Sequence, residues 1–352
     1  MKLNFRNLPI ANLPYEDVNA CKQMMLRLYE NIPYLAELPK IDPNDNITLR
    51  TVENIPGIVY KDKKLIVEDY TTSSFMKSLQ ILDRVFNATD DSELDNYPSS
   101  SPFWEMYTEM LKRIQPQYTI IRLLGPFSLA DSIFNINTVS ILREKSYRKY
   151  IIQAIGVKAL WFMKKIKSIS PNTKVIFLFE EQQLYKFGNI KRNHEDITKE
   201  LIVSLFTKLF QKIQKSGGLV GVQSFEKCNW SILLESNINL ISFDAYNNPS
   251  SLNIIAEKLA HFLARGGYIN WGIVPVNNEN SIKALNIDFV YKLFTKAMED
   301  LSAEGVSLDL LFKNCTVSVQ GNLVNIPILF AEKALIMESQ LAKKIPASSR
   351  QL

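Results

Sequence analysis

The chain has 352 residues, 46% hydrophobic and 22% charged, with a formal net charge of +5. That balance suits one large globular domain or two medium ones and excludes a disordered or fibrous chain. No apolar run is long enough to cross a bilayer, and the start Met1-Lys2-Leu3-Asn4-Phe5-Arg6 lacks the apolar core of a secretory signal, so a cytoplasmic protein with no membrane partner is expected.

The basic residues are dispersed, and a nucleic-acid partner would need a focused basic face. Lys164-Lys165-Ile166-Lys167 and Lys191-Arg192 read as solvated surface. Cys21, Cys228 and Cys315 are too scattered for a disulfide framework, and His194 and His261 are the only histidines.

In chain order, Leu8 to Leu13 is the first strand candidate, and Thr89 to Pro102, rich in Asp, Ser and Pro, reads as a loop. Tyr118 to Leu124 is a β-branched strand stopped by Gly125-Pro126, followed by a helix from about Leu142 to Ser168. Lys174 to Phe179 is the continuous apolar run of a buried parallel strand. Asp196 then looks like the N-cap of a helix to about Lys215, closed by Gly217-Gly218. Strand Leu219 to Val222, helix Asn229 to Leu234 and strand Leu240 to Phe243 follow. Ser250 caps a helix to about Ala264, ended by Gly266-Gly267. Strand Tyr268 to Val274, helix Ile287 to Glu304, strand Cys315 to Val319 and helix Pro327 to Lys344 complete the chain.

Alternating strands and helices mean βα units and a parallel sheet. Six strands after residue 117 and one near the N-terminus leave one of eight unplaced. No G-x-G-x-x-G or Walker pattern supports an open doubly wound sheet. The expected fold is therefore α/β, a (β/α)8 TIM barrel with an N-terminal extension. Residues 1–100 would carry the extension, with the first barrel strand and helical and loop insertions. Residues 101–352 would form the rest of a single structural domain.

Function in such a barrel belongs at the C-terminal ends of the strands. The candidate pocket residues there are Tyr15, Arg122, Glu180, Glu181, Gln223, Ser224, Asp244, Tyr246, Trp271, Ser318 and Gln320. Glu180, Glu181 and Asp244 offer carboxylates for acid–base or substrate contacts, or else are paired. Arg122 reads as a structural ion pair, and Trp230 and Trp271 as packing. A small-molecule ligand at the barrel mouth is the expected partner.

Several of these segments carry a resemblance. Asn12-Leu13-Pro14-Tyr15, Pro33 to Pro39, Leu124-Gly125-Pro126-Phe127-Ser128-Leu129-Ala130, Phe179-Glu180-Glu181-Gln182, Ile241 to Tyr246 and Trp271-Gly272-Ile273-Val274-Pro275 occur in one order. Together the chain resembles the superfamily of cobalamin-independent methionine synthase (its C-terminal catalytic domain) and uroporphyrinogen decarboxylase. It looks closest to short, stand-alone methionine-synthase-like members. The resemblance implies methyl or one-carbon transfer, with zinc activating a substrate thiol and, for some relatives, a corrinoid protein as partner. The matching metal positions read Gln223, Ser224, Phe225 and Val319, and only Glu181 keeps a family ligand type. Amide, hydroxyl and valine side chains do not make a zinc site. Cys228 is expected in the helix after its strand and Cys315 at the far end of its own, so neither replaces a ligand. No zinc or other cofactor is therefore expected. Three readings stay open: a methyl-transfer relative without zinc, a decarboxylase-like lyase acting through Glu181 and Asp244, and a non-catalytic barrel that binds a small molecule or a protein.

Overall fold

The computed structural model describes residues 3–68, 72–187 and 197–345. Asp196, His194 and Lys191-Arg192 lie outside the described residues. Nine strands are described. β1 (Ile58–Lys61), β2 (Lys64–Val67) and β4 (Ile133–Asn135) form a small side sheet, in the order β1-β2-β4. The other six form one parallel sheet, β3 (Tyr118–Leu124), β5 (Lys174–Glu180), β6 (Leu219–Ser224), β7 (Leu240–Phe243), β8 (Tyr268–Val274) and β9 (Cys315–Val319), hydrogen-bonded in chain order.

Two N-terminal segments close this sheet into a ring. Val317 N donates to Arg6 O (2.6 Å) and Leu8 N to Val317 O (2.9 Å), which fastens the first segment to β9. Ile120 N donates to Pro33 O (3.2 Å) and Leu35 N to Ile120 O (3.3 Å), which fastens a second segment to β3. Leu13 N donates to Glu37 O (3.0 Å), joining the two segments to each other. The result is a (β/α)8-type barrel in which six staves are ladders and two are single bridges. The strand expected over Leu8 to Leu13 is therefore only a bridge at Asn7, and the unplaced stave is the Pro33 to Leu38 segment.

The helices lie close to their expected ranges, with shifts set by local capping. Lys145–Ile169 starts later than expected, after a 3-10 turn at Ile141–Arg143. Lys199–Lys215 is capped by Thr198, whose side chain accepts from Leu201 N. Ala256–Ala264 begins after a 3-10 turn at Asn253–Ile255 with no side-chain cap, so Ser250 is not its N-cap. Trp230–Glu235, Ile287–Ala303 and Ile328–Lys344 complete the pattern. The helix Ser73–Asn87 packs on Lys145–Ile169, so the first hundred residues join the barrel wall as well as extending it. No described helix is long and apolar enough to cross a membrane.

Strand residues alternate between the barrel interior and the helix layer. The outward set includes aromatic contacts: Phe179 stacks on Phe210, and Phe243 and Phe294 each meet Trp271 in a T-shaped contact. The inward set mixes apolar residues such as Leu124, Leu178 and Leu240 with a polar layer, and that layer is where the site must be sought.

Candidate functional site

One register layer runs Glu180, Gln223, Ser242, Asn270 and Thr316 through β5 to β9. All five are buried. Barrel interiors are usually filled with branched apolar residues, so a polar belt here has to be explained bond by bond.

Asn270 ties three strands together. Its amide donates to Ser242 Oγ and Ser318 Oγ (both 2.9 Å), and its carbonyl accepts from Thr316 Oγ1 (3.0 Å). Ser318 Oγ donates in turn to Val319 O (2.8 Å). On the other side Arg122 donates to Asn12 Oδ1 (2.6 Å) and pairs with Glu180, with Glu37 at 3.6 Å. Burial works against the Arg122 charge, but the Glu180 and Glu37 carboxylates outweigh it and hold its pKa above the ordinary value. Glu37 also accepts from Ile47 N (3.1 Å) and lies 3.9 Å from Arg50. Glu180 is thus a buried ion-pair partner, and Arg122 is the structural cation expected.

Glu181 is engaged by the neighbouring βα turn. Its two oxygens accept from Phe127 N (2.9 Å), Ser128 N (2.9 Å) and Ser128 Oγ (2.7 Å), the first turn of helix Pro126–Ser132. Burial pushes its pKa up to about 7, against the pull of those three bonds. Gly125 is required for the approach: a Cβ there would sit 2.2 Å from Glu181 Oε1. The Gly-Pro turn and the Glu-Glu turn are therefore two halves of one strut.

The remaining candidates separate. Asp244 accepts from Asn247 N (2.9 Å) and Asn247 Nδ2 (2.6 Å), closing the turn after β7. Burial raises its pKa while those bonds oppose the shift. Tyr246 N donates to Gly272 O (3.1 Å). Ser224 Oγ donates to Glu226 O (3.1 Å). Gln320 accepts from Val276 N (2.8 Å). Tyr15 donates to Glu332 (2.7 Å) on the helix Ile328–Lys344, so its hydroxyl is engaged with that helix. Trp271 faces the helix layer and is removed from the pocket set. Cys228 lies in the loop before helix Trp230–Glu235, not within it, and burial pushes its thiol up. Cys315 sits at the start of β9, where Arg6 donates to its Sγ (2.9 Å).

Gln223 differs from all of these. Both polar atoms of its amide are buried without a partner. The candidate set does not include Glu37, Asn12, Ser242, Asn270 and Thr316, which bond most of the rest of the belt, although Glu37 Oε1 and Arg122 Nε also lack a hydrogen-bond partner. The available signal was a lone acid in Leu35-Ala36-Glu37-Leu38 and polar residues inside apolar strands.

The donor set does not fit zinc. Gln223, Ser224 and Val319 offer no thiolate, imidazole or carboxylate, Glu181 already accepts three hydrogen bonds, and among the described residues no group of three His, Cys, Asp or Glu could hold a metal ion. No family model matches the chain, and no curated protein matches it. Similar solved structures include a native Bacteroidetes-affiliated GH5 cellulase linked with a polysaccharide utilization locus, at 11% identity and TM-score 0.40, covering 75% of this chain and 82% of that one. Another is the catalytic domain of Bacillus sp. JAMB-750 GH26 endo-beta-1,4-mannanase, at 9% identity and TM-score 0.40, covering 85% and 90%. The barrel itself is established by its ring of hydrogen bonds.

Proposed function

We propose that this chain is a methionine-synthase-like barrel that binds rather than transforms its ligand, with the zinc-thiolate centre replaced by internal hydrogen bonds. The observation that carries this reading is the state of Glu181. The one residue of a family ligand type has both oxygens filled by the turn at Phe127 and Ser128. A carboxylate so engaged is a strut for the βα turn, and neither a metal ligand nor a free acid or base. Asp244 is held by Asn247 in the same manner. The lyase alternative needs a free cation for a substrate carboxylate, and Arg122 is already neutralised by Glu180 and Glu37.

The test is zinc uptake and thiol methylation by the intact protein. After dialysis against micromolar zinc sulfate, bound zinc should stay well below one per chain and be unchanged in Glu181→Ala. Methyl transfer to a small thiol, with either a free methyl donor or a methylated corrinoid protein, should equal the protein-free rate. Stoichiometric zinc with methyl transfer would overturn the proposal and restore the methyltransferase reading.

A further inference from the structure

A cavity of about 460 Å³ lies where the β1–β2 hairpin meets the turns that follow β3 and β5. Its walls include Thr48, Tyr60, Lys63, Lys64, Asp131 and Lys186. Asp131 belongs to the helix Pro126–Ser132 after β3, and Lys186 to the 3-10 turn Leu184–Lys186 after β5. Both follow the C-terminal ends of their strands, on the face where barrels take their ligands, and the volume suits a small molecule.

Three observations, all on solvent-accessible groups, bear on what could fill it. First, the charge of the wall is unbalanced. Asp131 is the only carboxylate among its described residues, and Lys186 already pairs with it (2.7 Å). Lys63 and Lys64 are exposed and have no partner among the described residues. Two positive charges without a counter-charge suit a dianion, as a phosphate group is near pH 7. Second, Lys63 sits in a costly backbone conformation. Asp62 and Lys63 turn the hairpin at φ 50° and 61°, where asparagine or aspartate followed by glycine is the favoured pair. Lysines also keep an exposed strand edge from pairing with other chains. The exposed Lys61 and Lys64 already serve that end, and it does not call for a lysine at position 63. A lysine where glycine would relieve the backbone points to a use for its ammonium group. Third, Tyr60 on the same wall is 53% exposed. An accessible aromatic face beside two cations offers a flat ring a surface to lie on.

We propose that this cavity binds a small phosphorylated molecule with a flat ring, its phosphate held by Lys63 and Lys64 and its ring laid on Tyr60. The half-buried Thr48 adds a hydroxyl to the same wall. The lining residues belong to the hairpin and to segments around the barrel, and the site needs no metal. Zinc uptake and methyl transfer therefore leave it untouched, so its failure and that of the preceding reading are separable. Binding is reversible, and no bond is made or broken.

The experiment is isothermal titration calorimetry of the intact protein with phenyl phosphate. Inorganic phosphate lacks the ring, phenol lacks the charge, and benzoate carries a single negative charge. Phenyl phosphate should bind saturably at millimolar concentration, and more tightly than each of the other three. Lys64→Ala should weaken it about two- to fivefold, the worth of an exposed ion pair. Lys63→Gly should weaken it by a similar factor while raising the thermal midpoint, because Asp-Gly is a preferred sequence for this turn. A loss of affinity that comes with a gain in stability cannot be damage to the fold. Tyr60→Ala should bring the affinity for phenyl phosphate down to that for inorganic phosphate. No binding of phenyl phosphate, equal binding of phenol, inorganic phosphate or benzoate, or undiminished binding by Lys63→Gly and Lys64→Ala would overturn the proposal.

Discussion

Replacing Glu181 with alanine removes the acceptor from three buried donors: Phe127 N, Ser128 N and Ser128 Oγ. The hydroxyl can rotate toward another acceptor, but the two backbone amides cannot. A buried donor left without a partner costs about 1–3 kcal/mol, so the two amides together cost about 2–6 kcal/mol. Against this stands the carboxylate itself, whose pKa rises from 4.5 in the ordinary state to about 7 in the fold. A raised folded pKa means that its contribution is fully present below the unfolded value and is lost as pH rises through the folded one. The wild type therefore loses stability between about pH 4.5 and 7, by roughly 3 kcal/mol if the whole shift is realised. The alanine variant has no such loss. Its deficit should be greatest near pH 5 and smaller by a few kcal/mol near pH 8. Urea unfolding followed by intrinsic fluorescence at the two pH values measures both quantities. A deficit under about 1 kcal/mol at pH 5 would refute the strut, and so would a deficit that grows with pH.

Gly125→Ala attacks the same strut from the opposite side. Its new Cβ would lie 2.2 Å from Glu181 Oε1 and 2.3 Å from Cδ, and the expected loss is about 3 kcal/mol or more, read from the thermal midpoint. Gln223→Leu removes two unpartnered buried groups and should be neutral or stabilising by about 1–3 kcal/mol; a clear loss in urea unfolding would mean that a ligand or bound water satisfies the amide. Glu338, on the buried face of the helix Ile328–Lys344, accepts from Tyr29 OH (2.9 Å) and Val319 N (2.8 Å), and burial pushes its pKa up to about 8. By the same sign its contribution is lost as pH rises from the ordinary carboxylate range through about 8. Glu338→Gln should flatten that part of the stability curve, and an unchanged slope of melting temperature against pH would contradict it.

The six ladder strands were legible because strands buried on both faces read as apolar runs bounded by helices. Of the two closing staves, the first was legible only as a strand over Leu8 to Leu13 and the second was not, because each makes only a one-residue bridge, at Asn7 and Tyr34, in segments carrying Pro9, Pro14, Pro33 and Pro39. The hairpin of β1 and β2 was missed for a related reason. Its turn residues Asp62 and Lys63 both have positive φ (50° and 61°) without the glycine that usually marks such a turn. At the site, the partners of the buried polar groups were not readable, since Glu37, Asn12 and Arg122 come together only in the closed ring.

The sequence by itself determined the alternation of strands and helices and the chemistry of the strand ends, because these depend on residue type and local periodicity. Only the tertiary structure decided where the polar groups point. Trp271 on β8 and Gln223 on β6 lie in the same sheet, yet one packs on Phe294 in the helix layer and the other stands unpartnered inside the barrel. Glu180 and Glu181 are adjacent, yet one holds Arg122 and the other holds a helix turn. A strand reverses the direction of its side chains at every residue, and their partners lie on other elements, such as Arg122 for Glu180 at a separation of 58 positions. The register of the closed ring is what assigns each group its neighbour.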